Sequence, residues 1–99
     1  METKEFQKKC AEVVKLIDKK YNIERDSYFS FMQLMEEIGE LAKDINSPKL
    51  RNKEIDRNNL EGEFADVIMQ LSALADLYDV DFEKVIEAKI KNLKERQYL

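Results

Sequence analysis

Two pairs of acidic residues stand three positions apart, Glu37 with Glu40 and Glu63 with Asp66. On a helix, residues i and i+3 share a face, so each pair presents two carboxylates together. Spacing alone says little in a chain with 21 acids. Glu2/Glu5 and Asp76/Asp79 have it too, and a solvated face is the ordinary explanation. Placement sets the first two pairs apart. Glu37 and Glu40 flank an apolar stripe of helical period, and Glu63 and Asp66 flank the next one. If the two helices pack antiparallel across a loop at 46–57, Glu40 lies five residues before Ile45 and Glu63 five after Asn58. Each is then about 7–8 Å from the loop end, and four carboxylates meet at one level, at the edge of a buried interface. Such a cluster repels itself unless protonated or neutralised, and the adjacent faces offer only Lys43. A divalent cation resolves the conflict, and all-oxygen ligation suits Mg²⁺ or Mn²⁺.

The elements that must position these acids are four helices. The first is predicted over about Lys4–Lys20 with Thr3 as N-cap, its apolar stripe formed by Phe6, Cys10, Val13, Val14 and Ile17. The second runs from about Ser27 to Ile45, capped by Asp26 or Ser27. Its stripe is Phe31, Leu34, Met35, Ile38, Leu41, Ala42 and Ile45, and Asn46-Ser47-Pro48 stops it, because proline disfavours helix in the residue before it. Residues 46–57 then form one long loop carrying Lys49, Arg51, Lys53 and Arg57. The third helix starts near Asn58, with Glu61 completing a capping box. From Phe64 to Tyr78 it is apolar on nearly every side, which predicts a central helix, a contact with a second subunit, or both. Asp81 caps the fourth helix, which runs to about Gln97. Gly39, inside the second helix at a propensity cost of about 1 kcal/mol, implies either close helix packing or close approach of a partner or substrate.

Composition narrows the chemistry. The 99 residues make one domain, and a small one. Two glycines and one proline are too few for the turns of a sandwich or barrel. Without histidine, Ser-His and Cys-His triads and His-bearing zinc sites cannot be built. Cys10 is the sole cysteine, so no intrachain disulfide forms. The glycine-rich phosphate loops are missing. A net charge of −4 argues against a nucleic-acid binder. No apolar run approaches the roughly 20 residues of a membrane span, and the first residues lack the apolar core of a signal peptide. The expectation is an all-α protein of a reducing compartment, the cytoplasm, whose chemistry comes from carboxylates, amines, amides and hydroxyls.

The acid pattern, read with its neighbours, resembles a known family. Glu36-Glu37-Ile38-Gly39-Glu40, 22 residues, then Glu63-Phe64-Ala65-Asp66 is similar to the Glu-Glu-x-x-Glu … Glu-x-x-Asp pattern of the MazG-like all-α nucleoside triphosphate pyrophosphohydrolases. The segments FMQLMEEIGELAKDI and EGEFADVIMQLSALADLYDVDFEKVIEAKIKNLKER extend the likeness over roughly residues 27 to 97. The resemblance implies a single MazG-like domain over 1–99, a four-helix bundle assembled as a homodimer or homotetramer. It implies Mg²⁺-dependent hydrolysis of a nucleoside triphosphate to the monophosphate and pyrophosphate by water attack at the α phosphate, with nucleotide-pool house-cleaning as the role that would fit. By the motif, Glu37, Glu40, Glu63 and Asp66 are metal ligands, and Glu37 is the expected base. Glu36 sits further round its helix. Lys89, Asn92 and Arg96 match the family's final-helix pattern and would bind the triphosphate, with loop Lys53 a further candidate that has no motif match.

Two other readings compete. Phosphoribosyl-ATP pyrophosphohydrolase of histidine biosynthesis looks similar in length and acid motif, although the stretch after Asp66 looks more like the MazG side. The non-enzymatic alternative is a helical dimerisation module with a solvated acidic face. Self-association is expected on either account. Phe29 and Met32 add apolar surface off the second helix's stripe, as Met69 and Ala73 do on the third, and one four-helix layer does not readily hide two such wide faces.

Overall fold

The computed structural model describes residues 2–99. Four helices carry the described chain: α1 (Thr3–Lys20), α2 (Ser27–Arg51), α3 (Arg57–Leu77) and α4 (Phe82–Glu95). No strand occurs among the described residues, so the all-α expectation holds. The caps follow side-chain chemistry. Asp26 accepts from the Phe29 amide at 2.8 Å, Asp56 from Asn59 at 3.1 Å, and Asp81 from Glu83 and Lys84 at 3.0 and 3.3 Å. Thr3 is not a cap. Glu2 holds that position, and its side chain makes no cap bond.

The largest departure from expectation lies at Pro48. It does not stop α2, which runs through it to Arg51. Proline at 48 withholds the amide that would meet the Asp44 carbonyl. One residue back, the Ser47 hydroxyl bonds the Lys43 carbonyl at 2.9 Å, and the Arg51 guanidinium reaches the same oxygen at 3.3 Å. The helix ends instead at Asn52, in the left-handed region with φ 53°, where the Lys53 amide reaches back to the Ser47 carbonyl. The connection therefore shortens to residues 52–56. Asp56 replaces Asn58 as the α3 cap, and Glu61 pairs with Arg57 at 2.8 Å rather than closing a capping box.

α3 is the centre of the fold and packs against both α1 and α2, whereas α4 packs chiefly against α1. The face that α1 turns inward is not the expected one. Gln7, Ala11, Val14 and Asp18 are buried, while Phe6 and Ile17 stand about half exposed. Two polar residues take inward places because each ties α1 to another part of the chain. Gln7 donates to the Val80 carbonyl at 2.6 Å and accepts from the Phe82 amide at 2.9 Å, fixing the α3–α4 turn to α1. Asp18 receives Arg25 in a two-pronged pair at 2.7 and 3.0 Å. Arg25 also donates to Ser30 on α2 and Gln70 on α3, both at 3.2 Å, so one side chain joins three helices. Ser30 and Ser72 are fully buried, and small side chains there let the helices approach closely.

The apolar core within one chain is small: Ala11, Val14, Leu34, Ala73 and Ala75. Phe31, Met35, Ile38, Phe64, Ile68 and Leu71, the centre of the α2 and α3 stripes, remain 39–49% exposed. The accessible surface is 7982 Å², against about 5,900 Å² for a folded monomer of this mass. The radius of gyration is 16.2 Å, against about 12.6 Å for a compact chain of this length. No helix is long and apolar enough to cross a membrane.

Candidate metal centre

One side-chain bond marks the register of α2 on α3. Asn59 donates its amide to the Asp44 carboxylate at 2.7 Å. Between antiparallel helices the numbers of facing residues keep a constant sum. Pairing 44 with 59 therefore places Glu40 opposite Glu63 and Glu37 opposite Asp66. Rise per residue is the same on both helices, so this common level survives although α2 is longer than expected. The acids also lie in the α2–α3 seam itself, with the open apolar stripes beside it, rather than at the rim of a covered interface.

Glu37, Glu63 and Asp66 converge, each offering a carboxylate oxygen with all three oxygens within 4.8 Å of one another. Glu40 lies outside that trio but within electrostatic reach of it. Partial burial pushes the Glu37 carboxyl above its ordinary range, and the negative charges of Asp66, Glu63, Glu40 and Glu36 push it further. Glu63 is raised in the same way, by loss of hydration first and then by Asp44, Asp66 and Glu40. Asp44 is the acid that sequence reasoning missed. It belongs to no motif, but it follows Glu40 by one turn on the same face of α2, and Asn59 holds its carboxylate across the seam.

The donor set fits a hard divalent ion. Oxygens around one octahedral Mg²⁺ stand about 3.0 Å apart when adjacent and about 4.2 Å apart when opposite. The trio needs only a small side-chain adjustment to reach those separations, and a cation removes the repulsion that raises Glu37 and Glu63. All ligands are carboxylates, which disfavours the softer metals.

The expected cations are not gathered at the acids within one chain. Lys53 sits exposed in the 52–56 connection, beyond the end of α2 and roughly three helical turns past Glu40. Lys89, Asn92 and Arg96 are exposed on or at the end of α4, which packs on α1. Arg96 stacks on Tyr98 at 4.8 Å. Gly39 has open space where a side chain would project, so close packing within the chain does not account for it.

The family model of the MazG nucleotide pyrophosphohydrolase domain matches residues 28–98. The chain belongs to the MazG family. The match begins at the first turn of α2, so α1 lies outside it, and the acid pairs and α4 lie inside. MazG domains are nucleotide pyrophosphohydrolases, hydrolases typically dependent on a divalent metal, and the acidic trio agrees with that chemistry. No curated protein and no solved structure matches the chain.

Proposed function

We propose that this MazG domain hydrolyses nucleoside triphosphates to the monophosphate and pyrophosphate, with Mg²⁺ or Mn²⁺ held by Glu37, Glu63 and Asp66 and completed by Glu40. The observation that carries the reading is the convergence of three carboxylate oxygens within 4.8 Å, in the seam that the Asp44–Asn59 bond registers. When bound, the metal supplies positive charge that offsets the charge developing on the phosphate oxygens. The chain's own groups do the rest. Glu37 orients the attacking water and accepts its proton. Glu40, Glu63 and Asp66 hold the acid cluster in a geometry fixed before substrate arrives. Lys89, Asn92 and Arg96, with Lys53 as a further candidate, bind the triphosphate oxygens. The protein acts as a homodimer or larger homo-oligomer, which covers the open α2 and α3 stripes.

The test is a panel of ribo- and deoxyribonucleoside triphosphates, with phosphoribosyl-ATP included, assayed with Mg²⁺ and with Mn²⁺ while pyrophosphate and orthophosphate are followed separately. The reading expects pyrophosphate as the direct product. Early orthophosphate without pyrophosphate overturns the position of cleavage. Turnover of phosphoribosyl-ATP alone overturns the substrate class.

A further inference from the structure

The polar face of α2 does not end at the acids. Ser30, Gln33 and Glu37 recur on it at helical spacing, as Asp66 and Gln70 do on α3. The constant sum that sets Asp44 against Asn59 also sets Gln33 against Gln70. That level is one turn past Glu37 and Asp66, about 6 Å along the helix axes. The two ends of the acid row differ. At the Asp44 end the facing side chains bond one another across the seam at 2.7 Å and close it. At the Gln33 end both amides are half-buried, and each bonds elsewhere. Those bonds fix what each amide offers. A guanidinium has only donors, so the 3.2 Å bond from Arg25 turns the Gln70 carbonyl oxygen toward it and leaves the Gln70 NH₂ to donate. Gln33 is the converse. Its NH₂ donates to the Glu36 carboxylate at 3.1 Å, so its carbonyl oxygen is the end left to accept. Arg25 is itself held, by Asp18 at 2.7 and 3.0 Å and by Ser30 at 3.2 Å. The Gln70 amide therefore cannot turn over without losing a bond to a fixed partner.

We propose that Gln70 and Gln33 take the sugar 3′-hydroxyl of the nucleotide, Gln70 donating to it and Gln33 accepting from it, with Arg25 as the positioning residue that holds Gln70 in the donating orientation. A hydroxyl accepts and donates through a single atom, so it answers two amides of opposite sense at once. A phosphate oxygen, which only accepts, leaves Gln33 unmatched. The spacing agrees with the chemistry. The sugar is bonded to the α phosphate, so phosphates lying at the acids bring the sugar to the next turn of the seam. The 3′-hydroxyl is nearer the 5′ phosphate along the covalent chain than the 2′-hydroxyl is, and it is the hydroxyl that ribo- and deoxyribonucleotides share. The inference rests on the function proposed above, because it takes the phosphates to lie at the acid cluster, and its test separates the two.

The experiment crosses a side chain with a substrate group. The deoxynucleoside triphosphates and their 2′,3′-dideoxy counterparts differ only in the 3′-hydroxyl. Wild type should use the dideoxy form with a kcat/KM at least about tenfold lower, because two half-buried amides are then left without their partner. Gln70→Met removes the donor at similar bulk. It should shrink that ratio to about threefold or less, since the hydroxyl has lost the contact that made it count. Arg25→Lys keeps a charge for Asp18 but lacks the fork that also reaches Gln70, and it should narrow the ratio too. A purely structural role slows both substrates alike and leaves the ratio intact. That result in Gln70→Met, or a wild type that does not distinguish the two substrates, overturns the subsite. An Arg25→Lys chain that folds and keeps the full ratio overturns the positioning role; if it does not fold, Gln70→Met decides. Wild type inactive toward every triphosphate refutes the hydrolysis instead. Calorimetry with Mg²⁺ and the deoxy- and dideoxynucleoside monophosphates then decides the subsite without turnover. Tighter binding of the 3′-hydroxyl form upholds it, and equal binding or none overturns it.

Discussion

Arg25 is the side chain whose loss should cost the fold most. It and Asp18 are each 10% exposed, and the pair is two-pronged, at 2.7 and 3.0 Å. Arg25→Met keeps much of the aliphatic bulk but strands the Asp18 carboxylate without a partner. At an effective dielectric of about 20, two unit charges 4 Å apart attract by about 4 kcal/mol. Removing one member of a buried pair costs about 3–5 kcal/mol. The bonds to Ser30 and Gln70, both 3.2 Å, add to the loss, as does the Phe29 ring 5.0 Å from the guanidinium. Arg25→Met should therefore lower the unfolding free energy by about 3–5 kcal/mol, a large share of the roughly 5–15 kcal/mol typical of a small domain. The assay is urea unfolding followed by circular dichroism, at one fixed protein concentration because self-association contributes. Adding Asp18→Leu to Arg25→Met removes the stranded charge and should recover more than half of the loss. A loss below about 1 kcal/mol for Arg25→Met refutes the reasoning, since that is the worth of a solvated surface pair. A double variant no better than the single one would also refute it, by showing that the stranded charge is not the cost.

Four further outcomes follow from the same geometry. Asp66→Asn should abolish turnover and weaken Mn²⁺ binding measured by calorimetry, and unchanged turnover would remove Asp66 from the site. Glu37 has a native pKa above its ordinary 4.5, so folding takes up protons there. The metal-free protein should gain stability as pH falls from neutral through the raised value towards 4.5, and Glu37→Gln should raise neutral-pH stability and flatten that slope in thermal melts. Sedimentation at micromolar concentration should show a dimer or larger species, whereas an active species at 11.7 kDa would show that one chain holds the whole site. Pro48→Ala restores an amide opposite the Asp44 carbonyl and should stabilise α2 by about 1 kcal/mol or more in urea unfolding; a destabilised variant would show that the turn at Asn52 depends on the proline.

By itself the sequence determined the helical class, because apolar residues recur at helical spacing and turn residues are scarce. It determined the Asp81 cap and narrowed the α2 cap to Asp26 or Ser27, because a short oxygen-bearing side chain before an amphipathic run has open amides to accept from. It also put Glu37, Glu40, Glu63 and Asp66 at one level, because helices have a fixed rise and Glu40/Glu63 and Glu37/Asp66 lie at equal offsets along an antiparallel pair; the structure brings together the oxygens of Glu37, Glu63 and Asp66 and leaves Glu40 outside that trio. The tertiary structure decided what local rules cannot weigh. Pro48 reads as a stop, yet Ser47 and Arg51 satisfy the neighbouring carbonyl and the helix continues. The stripe of α1 reads as Phe6, Cys10, Val13, Val14 and Ile17, yet the helix turns Gln7 and Asp18 inward, because their partners are Val80, Phe82 and Arg25, and no periodicity records a partner 73 residues away. Asp44 shares the face of Glu37 and Glu40, but its bond to Asn59 across the seam is a tertiary contact that no motif records. The direction of α4 follows from the Gln7 clamp on the α3–α4 turn. Hydrophobic period says which face of a helix must be covered, but the choice of what covers it is made by bonds between residues far apart in the chain.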